Sequence, residues 1–230
     1  FMDEVEIDAI DTQVVEVIEN LVPTLDRTAA MYEDYEQPET LKQVNIPAAL
    51  VPELVELRQS AKVLGLVEWL LEDKAVAQSL ELFIKPPRVG TPTPPHQDGF
   101  YFCLEGKRAA TAWLALDDMD EENGTLHYVA GSQQAGVLDH RASQVLGFSQ
   151  GLLESELVLY GRDVGCPLRR GDLLVHHCLT IHRAEDKRSQ RLRRVLALVY
   201  YAVSERKDTD RWQRYRQSVD SQRRQLGVLR

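Results

Sequence analysis

Cysteine, net basic charge and long apolar runs are all scarce in this chain, and each scarcity bears on a class of function. Three cysteines, Cys103, Cys166 and Cys178, give an odd count with no CxxC pair, so neither a disulfide framework nor a zinc ribbon is indicated and a reducing, cytoplasmic setting is expected. The longest apolar run, Val195 to Val203, has nine residues, far short of the roughly 20 that a membrane-spanning helix needs. The opening Phe1-Met2-Asp3-Glu4 has neither the basic nor the apolar region of a secretory signal, and a start at Phe suggests residues upstream. Lysine and arginine number 27 against 36 acids, a net charge of −9 with pI near 5.2. That balance disfavours a sequence-independent grip on nucleic-acid phosphates.

What charge there is lies unevenly. Residues 1 to 60 carry fourteen acids against three bases, whereas residues 205 to 230 carry eight bases against four acids. The basic tail reads as a solvated helix face near the acidic N-terminal segment, with a dock for a phosphate or CoA-like group as the alternative. At 230 residues and 43% apolar composition, a single domain over 1–230 is expected. Residues 1–79 read as a mainly helical layer: Val14, Val15, Ile18 and Leu21 recur at helical spacing, and Leu54, Leu57, Ala61, Leu64 and Leu71 continue the pattern behind Pro52 in a first turn. Residues 80–204 change texture to short apolar or alternating runs between turn signals, the pattern of an antiparallel barrel or sandwich. The runs are 82–84, 100–104, 111–116, 126–130, 157–160, 173–178 and 195–203. Asn123-Gly124 signals a hairpin between the third and fourth of them, and the acidic run 117–122 before it reads as a solvated turn rather than a calcium loop.

The chemistry is concentrated in His96-Gln97-Asp98. Five of the ten prolines lie between Pro86 and Pro95, which excludes a helix or central strand there and predicts a constrained loop leading into the tripeptide. Two positions apart on an extended strand, His96 and Asp98 point to one face and can reach one metal. One more histidine would complete two imidazoles and a carboxylate on a face of an octahedral ion, the donor set of non-haem Fe(II) oxygenases. The segment 172–182 offers His176, His177 and His182. The first two point to opposite faces of one strand and read as packed or hydrogen-bonded residues, while His182 stands at a strand end where a ligand can reach a barrel mouth. His127 and His140 read as turn or surface residues. Downstream, either Arg193 or Arg194 must face inward from its strand; an inward guanidinium implies an acid ligand held by paired hydrogen bonds.

The ordered series Leu82-Phe-Ile-Lys-Pro-Pro, His96-Gln-Asp98, Ala112-Trp113-Leu-Ala-Leu-Asp-Asp, Glu122-Asn-Gly-Thr-Leu, Ala130-Gly-Ser, Gly171 through His182 and Ser189 through Arg193 resembles the phytanoyl-CoA dioxygenase (PhyH) family of Fe(II)- and 2-oxoglutarate-dependent oxygenases over roughly residues 50–203. The resemblance implies a double-stranded β-helix, or cupin-like jelly roll, covered on one side by N-terminal helices. It implies Fe(II) held by His96, Asp98 and His182, with Arg193 on the distal carboxylate of 2-oxoglutarate and Trp113, Gln97 and Ala184 lining the same pocket. Two stretches depart from the family pattern: Ala130-Gly131-Ser132-Gln133 stands where Pro-Gly-Ser-His is common, and Arg183-Ala184 where a glycine and a serine are common. Retention of Asp98 implies hydroxylation, since family halogenases replace that aspartate. The implied partners are a small-molecule substrate, 2-oxoglutarate and O₂, with loop 134–156 and the N-terminal helices setting specificity. Lys85 and Arg183 read either as pocket-border contacts for an anionic substrate or as ordinary surface charge. A non-catalytic cupin-like metal-binding module and a zinc-dependent hydrolase are the competing readings. No motif specifies the substrate or an oligomeric state.

Overall fold

The computed structural model describes residues 1–87, 90–145, 147–225 and 227–228. Arg88 and Val89 of the proline-rich stretch, Leu146 of the 134–156 loop, and Leu226, Leu229 and Arg230 of the basic tail lie outside the described residues. Helix α1 (Glu4–Glu16) opens on a capping box in which the Asp3 carboxylate accepts from the Glu6 N–H and the Glu6 carboxylate accepts from the Asp3 N–H. The long helical pattern that follows divides into α2 (Pro52–Gln59) and α3 (Ala61–Leu71). Ser60 breaks it: its backbone is extended and its hydroxyl caps Val63 N–H, while Pro52 sits in the first turn of α2.

Two sheets follow. The larger has the order β1 (Ala30–Tyr32), β2 (Leu41–Asn45), β3 (Ala75–Lys85), β12 (Arg193–Ala202), β5 (Ala109–Ala115) and β10 (Leu173–His177). The smaller runs β4 (Thr93–His96), β11 (His182–Ala184), β6 (Leu126–Val129) and β9 (Asp163–Cys166). All pairings are antiparallel. A hairpin of β7 (Arg141–Val145) and β8 (Phe148–Gly151) stands apart from both. The period of two makes each strand of the larger sheet serve two cores. Leu80, Leu82, Ala112, Leu114, Leu196 and Leu198 face outward and bury Val14, Leu54, Val63 and Val67 of the helices. Phe83, Trp113, Val195 and Ala197 face inward towards Leu126 and Ala184 of the smaller sheet.

Several expected elements differ. Residues 100–104 are not a strand, because the chain turns at Gln97 into the short helix α4 (Asp98–Phe102); residues 157–160 fall mostly within a 3-10 turn over Glu154–Leu159. Asn123-Gly124 is a tight turn with Gly124 at φ +82°, yet it joins β5 and β6, which lie in different sheets, so it makes a crossing rather than a hairpin. The helical layer 1–79 also contains β1, β2 and the start of β3. Among the described residues of the proline-rich stretch only the last part is a strand, and β4 is an edge strand, where proline's missing N–H is tolerated. The basic tail forms α5 (Thr209–Gln225).

Candidate metal centre

His96 ends β4, Asp98 begins α4, and His182 begins β11. The register pairs His96 directly with His182 across β4 and β11, so the two imidazoles are cross-strand neighbours although 86 positions separate them. Asp98 was expected on the same strand as His96; it arrives from a helix start instead, after the turn at Gln97. His96 Nε2 and His182 Nε2 each lie 3.6 Å from Asp98 Oδ1, and one donor atom from each residue falls within 4.8 Å of the others. The opposite ring nitrogens are fixed: His96 Nδ1 is 2.8 Å from Pro94 O and His182 Nδ1 is 3.0 Å from Thr180 O. Each carbonyl accepts from a protonated Nδ1, so Nε2 is the ring atom turned towards the carboxylate in both histidines.

Asp98 is oriented from behind. Its Oδ2 accepts from Thr111 Oγ1 at 2.6 Å and from His176 Nε2 at 3.1 Å, and His176 Nδ1 in turn accepts from Tyr128 Oη at 2.8 Å. Burial disfavours the carboxylate charge, but the imidazoles of His182, His176 and His96 hold Asp98 well below the usual carboxylate range. Burial, followed by the neighbouring imidazoles of His96 and His176, pushes His182 well below its ordinary value. Two imidazole nitrogens and one carboxylate oxygen therefore converge, a donor set that fits a divalent metal and leaves other coordination positions open. His176 is thus a hydrogen-bonded residue, one of the two readings its sequence position allows, and its partner is the metal-cluster carboxylate. Inward placement of Trp113 on β5 also puts Thr111 inward, and Thr111 pairs with His176 on β10, so strand parity was the available signal.

A cavity of about 260 Å³ adjoins this cluster. Arg193 lies 2% exposed on its wall, donating to Gly124 O at 2.7 Å, and its guanidinium carbon is 5.9 Å from the Trp113 ring centre. Arg194 faces outward and is saturated by Asp117 and Asp11, which settles which of the two arginines is internal. Among the described residues no carboxylate comes within ion-pair distance of Arg193; its Nε is buried without a partner, and burial lowers it to about 10. A cation so enclosed is costly unless an acid supplies the missing contacts. The buried arginine thus fits an anionic co-ligand.

Trp113 and Ala184 also border the cavity. Gln97 does not: fully buried, its amide donates to Gly136 O and Leu179 O and accepts from Leu138 N–H, so it ties loops together behind the metal cluster. Lys85 is in the wall, while Arg183 turns outward onto Asp163 and Glu185. His140 is internal rather than a surface residue, its Nε2 accepting from Gln97 N–H at 2.9 Å and its ring stacking on Phe100. His127 lies on β6 between Glu121 and Asp163. One face of α5 contributes Tyr215, Val219 and Gln222 to the cavity, with Gln222 donating to Ser149 O and Gln150 donating to Ser218 Oγ. The basic tail is therefore more than a solvated face. The sequence held no signal for this, because contact between α5 and β8 is long-range.

The family described as "Phytanoyl-CoA dioxygenase (PhyH)" matches residues 1–195. "Phytanoyl-CoA dioxygenase domain-containing protein 1" of Mus musculus is 33% identical over 147 residues, covering 62% of this chain and 50% of that protein. The "Probable alpha-ketoglutarate-dependent hypophosphite dioxygenase" of Stutzerimonas stutzeri is 26% identical over 176 residues, covering 73% and 59%. The chain thus spans about half the length of curated relatives it matches. Among solved structures, EctD from S. alaskensis superimposes with TM-score 0.74 at 19% identity, covering 90% of this chain and 72% of that one. The carbocyclase SnoK from nogalamycin biosynthesis gives 0.68 at 24% identity, covering 89% and 78%. These likenesses show the jelly-roll fold.

Proposed function

Because the chain belongs to the phytanoyl-CoA dioxygenase family, and because its His-Asp-His cluster shares a cavity with an unneutralised arginine, we propose an Fe(II)- and 2-oxoglutarate-dependent dioxygenase acting on a small molecule. The buried, carboxylate-free guanidinium of Arg193 carries this reading. A metal-binding module or a zinc hydrolase would leave that charge enclosed without purpose. In the proposal His96, Asp98 and His182 hold the metal, and Arg193 receives the distal carboxylate of 2-oxoglutarate. When bound, ferrous iron and 2-oxoglutarate supply O₂ activation coupled to formation of succinate and CO₂.

The protein's own contribution is positioning and enclosure. Thr111 and His176 hold Asp98 Oδ2 so that Oδ1 faces the metal position, and Tyr128 fixes the His176 tautomer. Phe83 stacks on Trp113 and on Phe148, with ring centres 5.1 and 5.9 Å apart, giving an apolar wall that limits water around the reacting centre. With a metal bound, Asp98 would fill a ligand position that a halide would otherwise take, which supports hydroxylation over halogenation. We propose one domain over 1–230, since α5 completes the cavity wall. No helix among the described residues is long and apolar enough to cross a membrane, and the free thiols of Cys103, Cys166 and Cys178 suit a reducing, cytoplasmic setting.

The test is anaerobic absorption spectroscopy. Fe(II) with 2-oxoglutarate is expected to give a visible charge-transfer band in the wild-type protein and none in Asp98→Ala. Arg193→Met should need about tenfold or more additional 2-oxoglutarate to reach half-saturation, the loss expected for a charge-assisted pair. A wild-type protein without the band, or Arg193→Met saturating normally, would overturn the proposal.

A further inference from the structure

Three buried polar atoms without a hydrogen-bond partner belong to cavity-lining residues, and they differ in sense. Trp113 Nε1 and Arg193 Nε are donors, whereas Gln43 Oε1 is an acceptor. The donors lie where an acid co-ligand is proposed. The acceptor lies on the inner face of β2, where Gln43 is 5% exposed and donates through Nε2 to Glu81 Oε2 at 3.1 Å. Glu81 belongs to the inner face of β3, four residues from Lys85, which is the direct neighbour of Arg193 on β12. At about 3.3 Å per residue, the two ends of the cavity wall are roughly 13 Å apart. Opposite Glu81 stands Ala197, and opposite Ala197 stands Trp113, so only a methyl group intervenes across the wall.

Glu81 accepts from Ser79 Oγ at 3.1 Å and from Gln43, and among the described residues it forms no ion pair. A carboxylate offers about four lone-pair positions, so Glu81, on the cavity wall, keeps acceptor capacity beyond these two bonds. Burial raises the Glu81 carboxyl above its ordinary range, and the charge of Asp98 adds to this, as expected of an acid lacking a cationic partner. Gly147, at φ +91°, makes room for the amide, since a Cβ there would collide with Gln43 Oε1. Of the lysines near the cavity, Lys42 pairs with Glu33 at 3.1 Å and Lys85 Nζ donates to Thr91 O and Glu185 O at 2.7 Å each, while Arg223 borders the cavity from α5.

We propose that Glu81 and Gln43 are the specificity-determining residues for the primary substrate, and that this substrate carries a protonated amine which they receive. An ammonium group brings three donors and a positive charge, which neutralises the unpaired Glu81 carboxylate while Gln43 Nε2 holds that carboxylate in place. The inference rests on the dioxygenase reading for the identity of the pocket, but its residues lie outside the proposed metal and 2-oxoglutarate contacts.

The probe is n-butylammonium, compared with n-butanol and butyrate, titrated by calorimetry into metal-free protein and into the anaerobic Fe(II) and 2-oxoglutarate complex. Butylammonium should bind at least about tenfold more tightly than butyrate. Glu81→Gln, which keeps the volume and removes the charge, should weaken butylammonium by about tenfold or more, and Gln43→Met by roughly threefold or more, with the unfolding midpoint preserved. In the Fe(II) and 2-oxoglutarate complex, where Arg193 is already occupied, butyrate or butanol binding as tightly as the amine would overturn the proposal, as would unchanged amine affinity in Glu81→Gln. Amine binding to metal-free protein alongside a missing 2-oxoglutarate band would refute the oxygenase reading alone. The band without amine binding would refute this inference alone.

Discussion

Asp98 divides its two oxygens between two tasks. Oδ2 is spent on Thr111 and His176, which leaves Oδ1 directed between the two Nε2 atoms. Replacing His176 with phenylalanine keeps a flat ring but removes the donor, so the carboxylate can rotate and the Tyr128 hydroxyl loses its acceptor. Outer partners of this kind typically contribute 10–100-fold in metal affinity. His176→Phe should therefore weaken Fe(II) binding by about that range in competition with a chelator, and unaltered affinity would show that Asp98 is held by Thr111 alone.

At the scale of elements, the turn that crosses from β5 to β6 matters more to the cavity than its exposed acidic residues suggest. Gly124 has φ +82°, its carbonyl accepts from Arg193, and a Cβ there would come within 2.7 Å of Lys85 Cδ and 3.1 Å of Glu185 O. Gly124→Ala should cost about 1–2 kcal/mol from the left-handed backbone alone. It should also weaken 2-oxoglutarate binding by displacing the carbonyl that steadies Arg193. Denaturant unfolding and a 2-oxoglutarate titration check the two effects separately; a variant as stable as wild type would mean that the turn relaxes without strain. Similar logic explains α2 and α3. A continuous apolar stripe was readable, but Ser60 offers its hydroxyl to Val63 N–H and ends one helix as it starts the next.

The response to acid belongs to the whole molecule. His140 is locked neutral between Gln97 N–H and Leu138 O, and burial lowers it to about 4 from an ordinary 6.5. Between those values the unfolded chain holds a proton that the folded chain refuses, so stability falls as pH drops, by at most about 1.4 kcal/mol per unit. The lowered values of His182 and Asp98 act in the same direction. Metal-free His140→Gln should lose roughly 1–2 kcal/mol less than wild type between pH 7 and 5 in denaturant melts; an identical slope would show that His140 titrates normally. Such a result would also locate the acid sensitivity in the metal cluster. By itself the sequence determined the metal donor types, the inward-or-outward choice offered by Arg193 and Arg194, the helical N-terminal layer and the β-rich middle, because local spacing and strand alternation are properties of neighbouring residues. Only the tertiary structure decided that His96 and His182 meet across β4 and β11, that Asp98 arrives from a helix, that Gln97 faces away from the cavity, and that α5, Gln43 and Glu81 border it. Those outcomes depend on register and on packing between segments tens to more than a hundred residues apart, and no local pattern encodes such contacts.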